Sequence, residues 1–231
     1  MPLTVLVTRD VEDAPKTAER LRRAGFGAVV APLIERRADD AALVAAFAAT
    51  PSPDLLLLTS AFAAKQIGRV GARGISPRRV ACVGPATAEA ARVAGLKVDL
   101  VPTESTGAAL VGELGDLTGR VVLYPRAADA LPSTREALER AGAVVRDVIT
   151  YGTGPASGGA AALAAAGRVD VVLLASPSTV RAYVAARAAV PEHGNPVVAP
   201  IGATTGEACR LAGLPIAESG TVDAIRAALR S

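Results

Sequence analysis

The chain has 231 residues, a net charge of +3 and only 3% aromatic residues, so it lacks the base-stacking surface of a single-strand nucleic-acid platform. It is 51% hydrophobic, much of that alanine, and long enough for one large domain or two small ones. One histidine and two cysteines exclude a His-rich metal site, and no uninterrupted apolar stretch of about twenty residues predicts a membrane span.

Short apolar runs predict strands at 3–8, 28–32, 54–58, 79–83 and 97–101, then at 120–124, 144–148, 170–174, 197–201 and 215–217. Between them lie Ala/Leu/Arg stretches with apolar residues three or four apart, such as Thr17 to Ala24 and Arg135 to Ala141, which read as helices. Uniformly apolar strands are buried on both faces, so the expected class is α/β, with doubly wound parallel sheets of five strands per unit. Two extended, Pro-bounded segments, 33–37 and 149–154, interrupt the alternation and read as linkers. Cys82 at a strand end and Cys209 in a helix read as buried small hydrophobes, and His193 as an exposed loop residue. The N-terminus has no basic n-region or long apolar h-region, and the protein is expected in the cytoplasm.

The chain repeats itself. Gly84-Pro85-Ala86-Thr87 through Ala94-Gly95-Leu96 returns 118 residues later as Gly202-Ala203-Thr204-Thr205 through Ala212-Gly213-Leu214. Asp54 to Ser60 pairs with Asp170 to Ser176, and Arg9, Leu21 and Gly25 pair with Arg126, Leu138 and Gly142. A period this long is domain-sized and predicts two similar domains. The repeat leaves open whether each half folds on itself or exchanges its first strand–helix–strand piece with the other.

In an open parallel sheet, ligands sit beyond the carboxyl ends of the strands. Thr8 and Arg9 follow the first predicted strand, Ser60 and Ala61 the third, Gly84, Ala86 and Thr87 the fourth, and Ser105 and Thr106 the fifth. In the second copy the counterparts are Arg126, then Ser176 and Ser178, then Gly202, Thr204 and Thr205. Ser60, Thr106, Ser176 and Thr221 also stand where helix N-caps belong. Hydroxyls, backbone N–H groups and two arginines suit carboxylates or phosphates, and mild basicity fits an acidic small molecule at least as well as a polymer. No GxGxxG follows the first strand and no GxxxxGK[ST] occurs, which weakens dinucleotide and P-loop readings. Asp10, Glu12 and Asp13 are expected to complement the dipole of the following helix.

Several short stretches together resemble the uroporphyrinogen-III synthase family: Val5-Leu6-Val7-Thr8-Arg9, Pro32-Leu33-Ile34-Glu35, Leu58-Thr59-Ser60-Ala61, Val83-Gly84-Pro85-Ala86-Thr87-Ala88, Val148-Ile149-Thr150-Tyr151, Ser176-Pro177-Ser178-Thr179-Val180 and Ile201-Gly202. They span nearly the whole chain in the family's order. The chain departs from the family at Phe62, where Asn is common, and at Ala203, where Pro is.

The resemblance implies two flavodoxin-like domains, residues 1–32 with 155–231 and residues 38–148, joined by a two-stranded linker. It implies dehydrative closure of hydroxymethylbilane to uroporphyrinogen III, with the last ring inverted through a spiro intermediate. No cofactor and no metal is expected, nor any nucleic-acid or membrane partner; transient contact with the preceding pathway enzyme is. The substrate-binding set is then Thr8, Arg9, Ser60, Ala61, Gly84, Ala86, Thr87, Ser105, Thr106, Arg126, Ser176, Ser178, Gly202, Thr204 and Thr205. Tyr151 matches the linker tyrosine expected to donate to the departing hydroxyl, a task open to a neutral phenol. The rival reading is a non-catalytic cytoplasmic small-anion binder or sensor, which the departures at Phe62 and Ala203 would favour.

Overall fold

The computed structural model describes residues 2–230. In chain order its elements are β1 (Thr4–Val7), α1 (Ala14–Arg23), β2 (Gly27–Val30), β3 (Ile34–Ala38), α2 (Asp40–Ala49), β4 (Leu55–Leu58), α3 (Ala61–Val70), β5 (Arg79–Cys82), α4 (Pro85–Val93) and α5 (Gly107–Leu114). They continue as β6 (Val121–Ala127), α6 (Ser133–Arg140), β7 (Val144–Pro155), α7 (Gly159–Ala166), β8 (Val171–Leu174), α8 (Pro177–Ala188), β9 (Val197–Pro200), α9 (Ala203–Leu211) and α10 (Ser219–Arg230). None of these helices is long and apolar enough to cross a membrane.

The chain divides into two compact units, Met1–Arg36 with Thr153–Ser231, and Arg37–Gly152. The first unit holds a parallel sheet in the order β2-β1-β8-β9. In the second, β7-β6-β4-β5 run parallel, with β3 added beside β7. Each copy's first two strands therefore join the third and fourth strands of the other copy. This exchange resolves what the repeat leaves open, and both sheets take the flavodoxin-like order with a switch point beside the first strand. A repeated aspartate secures each exchanged piece: Asp170 Oδ2 accepts from the Thr4 amide at 2.7 Å, and Asp54 Oδ2 from the Val121 amide at 3.0 Å.

The strands are apolar on both faces because both are covered. In the first unit Leu6, Val172 and Val198 face α7, α8 and α9, whereas Val5, Val171 and Ala199 face α1 and α10. In the second, Leu56, Val80 and Leu123 face α2, α3 and α4, whereas Leu55, Ala81 and Val122 face α5 and α6. Part of the repeated motif is helix termination. Gly95 (φ 86°) and Gly213 (φ 64°) adopt the left-handed conformation just past α4 and α9. The following leucine amides, Leu96 and Leu214, reach back to the carbonyls of Ala91 and Cys209, as in a Schellman stop.

Two predicted strands shrink to single bridges, Ala81↔Leu100 and Val198↔Ile216. At the first, the Asp99 side chain takes the Val80 amide at 2.8 Å, and at the second Pro215 has no N–H to give. Both cysteines are free and buried, as expected, and burial pushes the Cys82 thiol up to about 11. His193 is the opposite of the sequence expectation. It is 5% exposed, lies edge-on to Tyr183 with ring centroids 6.0 Å apart, and its Nδ1 contacts the Gly167 carbonyl at 3.2 Å.

Burial lowers the His193 pKa below its ordinary 6.5; the Gly167 contact opposes the shift and the Arg187 charge adds to it. Its Nε2 is buried without a partner, so a proton there would have no acceptor. Below the unfolded-state pKa the unfolded chain binds a proton that the folded chain refuses, so this contribution to stability is complete above that pKa and is lost as pH falls. The urea midpoint should therefore fall more steeply from about pH 7.5 to about pH 5.5 in the native protein than in His193→Gln. Equal slopes would show that the ring is hydrated in solution.

Candidate active site

In the first unit, the carboxyl ends of β1, β8 and β9 bring together Thr8, Arg9, Ser176, Ser178, Gly202, Thr204 and Thr205. Thr8 corrects the expectation of an available hydroxyl: it is fully buried and donates to the Leu173 carbonyl at 2.7 Å, tying β1 to β8. Arg9 is part-exposed and pairs with Asp13 at 2.9 Å. Arg36 on β3 pairs with Asp13 at 2.7 Å and Asp10 at 2.6 Å. For Asp10, burial alone would raise the pKa; the Arg36 hydrogen bond and charge, with the Glu12 and Asp13 amides, outweigh it and hold the carboxylate below its ordinary value. The acidic cluster therefore secures two arginines. The first turn of α1 itself contains no carboxylate, but Asp13 is its N-cap residue and Asp10 Oδ1 accepts from the Glu12 and Asp13 amides at the helix start.

Ser176 caps α8 in a reciprocal box with Thr179, while its Oγ lies 2.7 Å from that of Ser178. Gly202 opens α9, with no atom within 4 Å of where a Cβ would stand. Thr204 is exposed there, whereas Thr205 is buried. Thr221 is a correction: it lies inside α10 and is no cap.

In the second unit, the ends of β4, β5 and β6 carry Ser60, Ala61, Gly84, Ala86, Thr87 and Arg126. Ser60 caps α3, accepting from the Phe62 amide at 3.1 Å, and Thr106 caps α5 through the Ala109 amide at 3.1 Å. Gly84 precedes Pro85 at the start of α4, and a Cβ there would stand 2.8 Å from the Ser105 hydroxyl. Ala86 is exposed and Thr87 buried, repeating the pattern of Thr204 and Thr205.

Arg126 needs the larger correction. It does not follow the strand but lies within β6, which runs on to Ala127. Its Nε and Nη2 both reach Asp147 Oδ2, at 2.8 and 2.7 Å, and Arg135 takes the other oxygen at 3.1 Å. Its charge is thus shared with a neighbouring strand. Tyr151, on β7, is 8% exposed and tilts against Phe62 with centroids 4.7 Å apart. The Arg69 guanidinium stands 5.5 Å from the Phe62 ring.

Some functional candidates carry little sequence signal. Arg226 on α10 donates to the carbonyls of Pro200 and Ile201, both at 3.0 Å, and so steadies the turn into α9. It lines a depression of about 440 Å³ with Gly202, Ala203 and Ser219. A larger depression of about 710 Å³, lined by Phe47, Val70 and Arg73, is touched by none of the candidate residues. Gln66, which follows Lys65, and Asp147, which follows Arg146, belong to no motif that would single them out.

Two solved structures share the fold. The chain matches a mutant uroporphyrinogen III synthase from Thermus thermophilus with a TM-score of 0.55 at 19% identity, covering 99% of each chain. It matches uroporphyrinogen-III synthetase from Helicobacter pylori with a TM-score of 0.59 at 17% identity, covering 97% of this chain and 96% of that one. In sequence, it is 33% identical over 187 residues to a Methanothermobacter thermautotrophicus protein provisionally named uroporphyrinogen-III synthase, covering 75% of this chain and 74% of that protein. With the family model that matches, this relative places the chain among the cofactor-independent cyclising lyases of tetrapyrrole biosynthesis. The HemD uroporphyrinogen-III synthase family model matches residues 15–226, and the chain belongs to that family, whose substrate is hydroxymethylbilane.

Proposed function

We propose that the strand-end donors hold the carboxylates of hydroxymethylbilane while Tyr151 donates a proton to its departing hydroxyl. The supporting observation is the concentration of helix N-termini and hydroxyls at the carboxyl ends of both sheets, beside their switch points. Such ends favour negative charge, and exposed donors at Ser105, Thr106 and Thr204 add hydrogen bonds. The substrate closes unaided to the wrong isomer, so the enzyme's task is to hold the terminal ring for attack through its substituted carbon, giving the spiro intermediate. Donors placed where charge develops then stabilise that step. A cytoplasmic setting and transient handover from the enzyme that makes this unstable substrate belong to the same reading.

The test is to generate hydroxymethylbilane enzymatically, add the protein, oxidise and resolve the uroporphyrin isomers. Isomer III as the main product is expected. Isomer I alone, as in buffer, would leave only an anion binder.

A further inference from the structure

We infer that Gln66 is a positioning residue for Tyr151, acting through a bulge at Thr150; this rests on the role proposed for Tyr151. The β6–β7 ladder runs in register from Val121↔Val144 to Arg126↔Ile149, then shifts so that Ala127 faces Tyr151 and Thr150 is left over. Side chains alternate along a strand, so one extra residue gives Tyr151 the facing that an unbroken ladder would give Thr150. Bulges are rare between parallel strands and over-represented next to active sites, where they re-aim a side chain.

The bulge is held by named groups. The Thr150 carbonyl accepts from Gln66 Nε2 at 2.9 Å and from the Asp39 amide at 2.7 Å. Gln66 lies on α3 four residues after Phe62, the ring against Tyr151. One helix therefore grips the bulged backbone with an amide and the following side chain with an aromatic face. Gln66 is fully buried, yet its Oε1 has no partner, and neither does the buried hydroxyl of Thr150. An apolar side chain of similar size would avoid that desolvation cost, so packing alone does not account for glutamine here. What the amide supplies is a donor at one fixed point of the backbone.

The test compares native protein, Gln66→Met, Tyr151→Phe and the double variant, using enzymatically generated hydroxymethylbilane. Gln66→Met should lower kcat by about tenfold with KM within about twofold, and the double variant should be no slower than Tyr151→Phe alone. Unchanged kcat, or losses that multiply in the double variant, would overturn the inference. NMR of ring-labelled tyrosine adds a readout free of catalysis. Tyr151 signals should move in Gln66→Met while Tyr124 and Tyr183 stay in place; three unmoved tyrosines would equally overturn it. Gln66→Leu serves the same comparison if the methionine variant does not fold. Native protein yielding only isomer I would sink the reaction itself, while the tyrosine spectra would still report whether Gln66 holds the bulge.

Discussion

Tyr151→Phe should slow the cyclisation by roughly tenfold to a few tens, while the protein stays folded. Residue 151 is 8% exposed and its ring centroid lies 4.7 Å from that of Phe62, a contact that phenylalanine keeps. Only the hydroxyl is lost. General acids commonly contribute about 10²- to 10⁴-fold, but here the leaving hydroxyl sits on a carbon bonded to an electron-rich pyrrole that helps expel it. A loss at the low end or below is therefore expected. Unaided closure competes with a slow enzyme, so the fraction of isomer I should rise in step with the loss of rate. Steady-state turnover with isomer analysis checks both, and unchanged turnover would remove Tyr151 from the mechanism.

Gly142→Ala should destabilise the protein by about 3 kcal/mol, whereas Gly25→Ala, at the matching position of the other copy, should cost about 1 kcal/mol. Both glycines have left-handed φ, 84° and 88°, so each alanine carries conformational strain. The difference is in what surrounds them. A Cβ on Gly142 would stand 2.9 Å from Thr118 Cα and 2.7 Å from its hydroxyl oxygen, while nothing lies within 4 Å of one on Gly25. Thr118 has little room to yield: its amide and hydroxyl both donate to Asp116, at 2.9 and 2.6 Å. Urea unfolding of the two variants measures the gap, and equal losses would show that the Thr118 loop moves aside.

Apolar strands and helical spacing were legible in the sequence because burial imposes them residue by residue. Ser60, Thr106 and Ser176 were legible as caps for the same local reason. What escaped depends on partners far along the chain. Arg126 looked like a free cation because its carboxylate, Asp147, comes 21 residues later on the adjacent strand. Thr8 looked like a donor because the Leu173 carbonyl that takes its hydroxyl lies 165 residues away. His193 looked exposed in a Pro/Gly-rich loop, yet Tyr183 and Gly167 enclose it. The bulge at Thr150 has no local signature at all, since it is a property of two strands in register.

The exchange of strands also sets an order of events during synthesis. Residues 37–152 are continuous, so that unit has every strand of its sheet once β7 has left the ribosome. Strand β1 finds β2 close by on one side, but its other partner, β8, begins at Val171, and the Asp170 that anchors Thr4 is 166 residues downstream. The first helix–strand piece, with Val5, Leu6, Val7 and Leu21 destined for full burial, must wait through the making of the other unit. Slow, non-local pairing of this kind exposes apolar strand surface while the chain grows. The N-terminal segment is thus where a chaperone has most to protect.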